Sequence, residues 1–135
     1  MSSDMTLEII TPEGVAYQGV VDEVTIPGTE GEFGVLKGHA PMLGSVGIGT
    51  LSIEKDRSRI YYAVNTGYAK VSPTKLTLLL ETAERSDLID RQRAEKALQR
   101  AEETMGKLSR DDVAFAMAQA ALKRAIARIN TAGKN

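Results

Sequence analysis

Apolar and polar residues alternate from the first few positions, Thr6-Leu7-Glu8-Ile9-Ile10, the period-two pattern of a strand with one buried face. Thr11-Pro12-Glu13-Gly14 follows and predicts a turn, because Pro pre-sets φ and Gly tolerates positive φ. Further β-rich stretches occupy residues 20–26, 47–53, 60–64, 68–71 and 75–80. They are short and divided by Pro27-Gly28, Lys55-Asp56, Asn65-Thr66-Gly67 and Ser72-Pro73. Many short strands with no helical period between them predict an antiparallel sandwich or barrel. Ten of the twelve glycines precede residue 68, which agrees with that reading.

At about residue 86 the period changes. Ala94, Ala97, Leu98, Ala101, Met105 and Leu108 recur at helical spacing and form one apolar stripe. Ser86 or Asp87 is expected to cap the start, and Gly106 to weaken the end. A second helix is predicted over about 111–129, with Ser109 and Asp112 as a capping pair. Its apolar positions are Val113, Met117, Ala120 and Ala121, with Phe115, Leu122, Ile126 and Ile129. The short connection makes the helices antiparallel neighbours with alanine-rich, closely approaching faces. The expected organisation is a β domain over 1–86 and a helical hairpin over 87–135. Some 45 residues of hairpin hold too little core to stand alone, so the hairpin must dock on the β domain or on another protein, and could switch between them.

Composition narrows the function classes. With 42% hydrophobic residues and no apolar run near the ~20 residues of a membrane span, no direct membrane insertion is expected. The opening MSSDMTLEII lacks the basic and apolar regions of a secretory signal. There is no cysteine and one histidine, so neither a disulfide framework nor a metal site is expected. Net charge is −1, which offers nucleic acid no general attraction. The charge is divided unevenly: residues 1–87 carry −5 and residues 88–135 carry +4, so the two halves are expected to meet different surroundings.

Candidate chemistry is sparse. His39, in Lys37-Gly38-His39-Ala40-Pro41, has no Ser or Cys partner in view and reads as a loop histidine bonding backbone or a partner. Gly28, Gly31 and Gly34 are spaced like a phosphate cradle. No Lys-Ser/Thr follows, however, and Glu30 and Glu32 would repel phosphate, so a glycine-rich β connection is expected. The hairpin arginines say more. Residues seven apart on a helix differ by about −20° and residues four apart by about 40°, so Arg93 and Arg100 share a face, as do Arg124 and Arg128. Antiparallel pairing brings Arg93 near Arg124 and Asp90 beside Arg128. Such guanidiniums suit a phosphate chain or an acidic partner surface. A solvated basic face with local Asp–Arg pairs is the plain alternative.

Several stretches together resemble the epsilon subunit of rotary ATP synthases, whose mitochondrial counterpart is called delta. Thr11-Pro12-Glu13-Gly14 resembles the first turn of that family. The run 30–42, Glu-Gly-Glu-Phe-Gly-Val-Leu-Lys-Gly-His-Ala-Pro-Met, resembles its most distinctive segment, "EGELGILPGHAPL". Asn65-Thr66-Gly67-Tyr68 stands where "SGGF" is frequent, a looser match. Ala83-Glu84-Arg85 and Ala121-Leu122-Lys123-Arg124-Ala125 resemble the approach to the hairpin and its second helix. Ile89-Asp90-Arg91-Gln92-Arg93-Ala94 matches the nucleotide signature "I/L-D-x-x-R-A" in full.

The resemblance implies a sandwich of about ten strands followed by a helical hairpin. It implies a non-catalytic rotor and regulatory subunit at the cytoplasmic face of the bacterial inner membrane, seated on the gamma stalk and touching the c-ring. The positions matching Glu32, His39 and Met42 are the implied c-ring and gamma contacts. The hairpin is expected to inhibit ATP hydrolysis when it extends into the alpha/beta hexamer, where Lys123, Arg124 and Arg128 would meet an acidic segment of beta. The implied ATP contacts on the folded hairpin are Glu84, Ile89, Asp90, Arg93, Ala94, Arg100, Arg124 and Arg128, with ATP a regulatory ligand rather than a required cofactor. A free-standing nucleotide-binding module is the alternative. An enzyme is not expected, since no nucleophile–base constellation is in view.

Overall fold

Met5, Leu7 and Ile9 alternate with polar neighbours on the first strand, and all three are fully buried. The computed structural model describes residues 5–134, so the first four residues read above for a secretory signal, and the last residue of the hairpin range, lie outside it. Strand β1 (Met5–Thr11) turns at Pro12-Glu13 into β2 (Gly14–Val21), and β3 (Glu23–Gly28), β4 (Gly31–Leu36) and β5 (Met42–Val46) follow. Next come β6 (Gly49–Lys55), β7 (Ser58–Val64), β8 (Gly67–Val71), β9 (Lys75–Leu80) and the short β10 (Ala83–Arg85). A 3-10 turn, Ser86–Leu88, leads into α1 (Arg91–Gly106) and α2 (Val113–Ala132).

The strands run in the order β10-β7-β6-β3-β5-β8-β9-β1-β2, with β4 paired to β3. Packing of β2 near β6 brings this path round towards closure, which lets one sheet enclose its own core. The pairing is antiparallel except that β1 lies parallel to β9. These two strands come from opposite ends of the domain, so no hairpin turn constrains their direction. Leu51, Ile53, Leu76 and Leu78, all unexposed, join the β1 residues inside, and burying each such side chain contributes roughly 1.5–3 kcal/mol.

Three expectations change. Residues 20–26 are two strands, because the chain bends at Asp22. There the backbone N–H donates to the Glu54 carbonyl at 2.8 Å, and the carboxylate accepts from the Asp56 N–H at 2.9 Å. The cap of α1 is Asp90, not Ser86 or Asp87: its Oδ1 accepts from the Arg93 N–H at 3.1 Å, while residues 86–88 form the preceding turn. The buried seam of α2 consists of Ala118, Ala125 and Ala127 with Thr131, whereas Val113 and Met117 are 78% and 67% exposed. Ala94 and Ala101 of α1 are seven apart, as are Ala118 and Ala125, and small side chains on that spacing allow close helix packing. Of the capping pair before α2, one half forms: the Ser109 N–H donates to Asp112 Oδ2 at 3.1 Å.

The glycine-spaced run 28–34 is the β3–β4 hairpin, with Gly28 opposite Gly31. A Cβ on Gly28 would meet the Gly31 carbonyl oxygen at 2.7 Å, so the turn needs glycine for close approach rather than for phosphate. Among the described residues no helix is long and apolar enough to cross a membrane.

Candidate functional site

The hairpin docks along its second helix. Helix α1 packs chiefly on α2, and α2 packs on β6, β7 and the 86–88 turn. This docking draws the distal arginines of α2 to the end of the β domain. Arg128 Nε donates to Glu84 Oε1 of β10 at 2.9 Å, a contact across 44 residues. The two side chains remain 43% and 37% exposed, so the pair itself contributes at most about 1 kcal/mol. Its value is positional: it fixes Arg128 beside the start of α1.

Glu84, Leu88, Ile89, Asp90, Arg93, Ala94 and Arg128 line a pocket of about 240 Å³ there. Six of these are residues expected from the sequence. Leu88 is not; it is 76% exposed, and the signal for it in the sequence is the apolar pair Leu88-Ile89 between polar neighbours. Arg124 lies one turn before Arg128 and lines an adjoining recess with Glu84 and Arg128, rather than facing Arg93 directly. Arg100 is exposed and stands two turns beyond Arg93, ~10 Å along α1. Among the described residues no carboxylate pairs with Arg93, Arg100 or Arg124. Asp90 is committed as the helix cap, leaving Glu84 as the acid that answers the arginines. The pocket thus sets two guanidiniums, Arg93 and Arg128, against two carboxylates, Glu84 and Asp90, with Arg124 in the adjoining recess, and the guanidinium forks can pair with anionic groups that approach from solvent.

The remaining residues lie elsewhere. Glu32 is exposed and lines a cleft of about 560 Å³ between the β domain and α2, with Thr50, Lys123, Ile126, Asn130 and others. His39 lies in the connection after β4 and Met42 at the start of β5. His39 Nδ1 donates to the Ala40 carbonyl at 2.8 Å, and the Gly38 N–H to the Pro73 carbonyl at 2.7 Å. Met42 is 37% exposed at the start of β5. A larger cleft, about 650 Å³, opens on the outer side of β8 and β9 and is walled by Ile10, Pro12, Val46, Tyr68 and Leu79 among others. Among the described residues its lining holds none of the expected site residues and one carboxylate, Glu81. Of its wall, Tyr68 and Leu79 are 58% and 50% exposed, and Leu43 on the neighbouring β5 is 72% exposed. The described residues hold no group of three or more His, Cys, Asp or Glu that could bind a metal ion.

Comparison with known proteins accounts for both parts. The family described as "ATP synthase, Delta/Epsilon chain, beta-sandwich domain" matches residues 4–86, and that described as "ATP synthase, Delta/Epsilon chain, long alpha-helix domain" matches residues 87–133. An ATP synthase epsilon chain of Trichlorobacter lovleyi is 49% identical over 134 residues, covering 99% of this chain and 97% of that one. The ATP synthase epsilon chain of Geobacter sulfurreducens is 44% identical with the same coverage. A chain in the cryo-EM structure of the Euglena gracilis mitochondrial ATP synthase superposes with a TM-score of 0.81 at 25% identity, over 91% of this chain and 78% of that one. A chain of the Tetrahymena thermophila mitochondrial ATP synthase central stalk and c-ring shares the fold alone, with a TM-score of 0.58 at 16% identity over 96% and 94% of the two chains. A ten-stranded domain with a hairpin docked through α2, matched in both parts, identifies the chain as a member of the ATP synthase delta/epsilon family.

Proposed function

We propose that the chain serves as the epsilon subunit of a bacterial rotary ATP synthase, a non-catalytic rotor component whose docked hairpin binds ATP. The observation that carries the second half is the convergence of Arg93, Asp90, Arg128 and Glu84 on one pocket bridging hairpin and β domain. That pocket is small against the ~300–1,000 Å³ of ordinary ligand sites, so it would enclose part of the nucleotide, with the rest lying towards Arg124 and Arg100 along the surface. Arginines drawn together repel one another, and a triphosphate relieves that repulsion by pairing with several at once. Extension of the hairpin would part Arg128 from Glu84 and Arg93, so the ligand favours the docked, non-inhibitory form. Its leverage equals its differential affinity for the two states, ~1.4 kcal/mol for each factor of ten.

In the assembled motor the exposed strip Leu43, Tyr68 and Leu79 supports a docking role for the β domain, with gamma the proposed partner. Glu32, His39 and Met42 are the proposed c-ring and gamma contacts. The extended hairpin would present Lys123, Arg124 and Arg128 to beta, and the subunit would sit peripherally at the cytoplasmic face of the inner membrane, coupling catalysis to proton movement.

Calorimetry on the whole chain tests the nucleotide reading. ATP should bind, and Arg93→Ala should weaken binding by about 1.5–3 kcal/mol, the worth of a charge-assisted contact. Absence of heat at millimolar ATP, or binding by Arg93→Ala and Arg124→Ala equal to that of the parent chain, would leave the arginines to the beta contact alone. Co-purification with gamma tests the assembly role. Glu32→Lys should impair proton-coupled ATP synthesis while leaving gamma binding intact, because one exposed carboxylate contributes little affinity.

A further inference from the structure

We infer that an ordered pair of threonine hydroxyls, Thr50 on β6 and Thr131 in the last turn of α2, latches the hairpin to the β domain and holds the arginine pocket together before any ligand binds. The inference deepens the docked–extended reading above and rests on it for its biological sense, but its test needs no nucleotide. Because α1 packs chiefly on α2, it is α2 that carries the hairpin's docking on β6, β7 and the 86–88 turn. Among the described residues, three polar contacts with the β domain follow at steps of three residues, at the end of α2 and just past it. Arg128 meets Glu84 at 2.9 Å, Thr131 Oγ1 lies 2.7 Å from Thr50 Oγ1, and Lys134 Nζ stands 5.8 Å from the centroid of the Tyr61 ring.

The outer two are open to water and screened by it. Thr131 is different, being fully buried among the alanines of α2. Its hydroxyl also lies 2.6 Å from the Ala127 carbonyl oxygen. Two oxygens that close need a proton between them, and a carbonyl has none to offer. Thr131 therefore donates to Ala127, and with its single proton so committed it can only accept from Thr50. The direction of the pair follows: Thr50 is the donor and Thr131 the acceptor.

That direction makes the two residues unequal. Removing the Thr131 hydroxyl takes from the half-buried Thr50 hydroxyl its acceptor on α2, which penalises the docked state. Removing the Thr50 hydroxyl leaves Thr131 still bonded to Ala127, which costs little. Thr131 is thus a positioning residue for Arg128 and the pocket, acting through the seat of α2 rather than through ligand contact.

Native-state hydrogen exchange on the whole chain, without nucleotide, tests this with a Ser and an Ala variant at each position. The Ser variant removes the methyl and keeps the hydroxyl, so the Ser-to-Ala step isolates the hydroxyl. A detached α2 loses its tertiary support and its amides exchange. At position 131 that step should reduce protection of α2 by about tenfold, with β1 and β9 unchanged. At position 50 the step should cost no more than about threefold, and with Thr50→Ala already present the step at 131 should shrink to a similar size. Equal steps at the two positions, a step at 131 that is the same in both backgrounds, or protection lost equally from β1 and β9 would overturn the latch. Failure of ATP to bind would remove the proposed ligand and leave this result intact.

Discussion

Gly67 opens β8 opposite Leu80, and a Cβ built there would lie 1.9 Å from the Leu79 carbonyl oxygen and 2.9 Å from its carbonyl carbon. Real Cβ atoms essentially never approach closer than 3.0 Å, so Gly67→Ala must part β8 from β9 by at least the 1.1 Å difference. That movement stretches an ordinary ~2.9 Å ladder bond to ~4 Å, beyond hydrogen-bonding range. Two bonds lost at about 1 kcal/mol each, with 1–2 kcal/mol of backbone strain, give a destabilisation of about 3–4 kcal/mol. This is a large fraction of the 5–15 kcal/mol that holds a domain of ordinary stability. The same substitution at Gly106, the last residue of α1, meets nothing within 4 Å. There Ala removes the entropic cost of glycine and should stabilise by about 0.5–1 kcal/mol. Urea unfolding followed by circular dichroism compares both variants with the parent, at unchanged m-value. A Gly67→Ala protein within 1 kcal/mol of the parent would refute the steric argument, as would a destabilised Gly106→Ala protein.

Two further outcomes follow from burial. Desolvation raises the Tyr62 phenol above its ordinary 10.0, with Arg85 opposing. The folded state thus holds the proton more tightly than the unfolded chain. The contribution of Tyr62 is complete below pH ~10 and is lost as pH rises through the raised value, so Tyr62→Phe should flatten the alkaline limb of a stability–pH profile. The hydroxyl donates only a long 3.4 Å bond to the Ala16 carbonyl, so the same variant should lose no more than about 1 kcal/mol at pH 7. Met117 is 67% exposed, and Met117→Gln should change stability by under about 0.5 kcal/mol. A loss of 2 kcal/mol or more on thermal unfolding would return Met117 to the buried seam.

How much of the site could be read from the chain depends on the distance over which each contact acts. Asp90 and Arg93 are three residues apart at a helix start, so their shared place follows from local geometry, although capping preference alone points to Ser86 or Asp87. The cap moved because residues 86–88 make a turn and Ile89 is extended, a local competition that propensity alone does not resolve. The neighbourhood of Asp90 and Arg128 followed from antiparallel pairing. The position of Arg124 did not, since one turn of error in the hairpin connection is enough to exchange it for Arg128 as the neighbour of Arg93.

The amino-acid sequence by itself determined the two-part architecture, because periods of 2 and 3.6 are imposed by backbone geometry and visible wherever one face is buried. It also carried the family resemblance and the identity of most pocket-lining residues. Only the tertiary structure decided that β1 pairs parallel to β9, that α2 buries Ala118 and Ala125 rather than Val113 and Met117, and that Arg128 meets Glu84 and Thr131 meets Thr50. Each of these is a choice among faces or partners distant along the chain and similar in local preference. Helix packing chose the smaller side chains over the more hydrophobic ones because close approach of two helices rewards small residues at the seam. No local pattern records which strand the resulting face will meet.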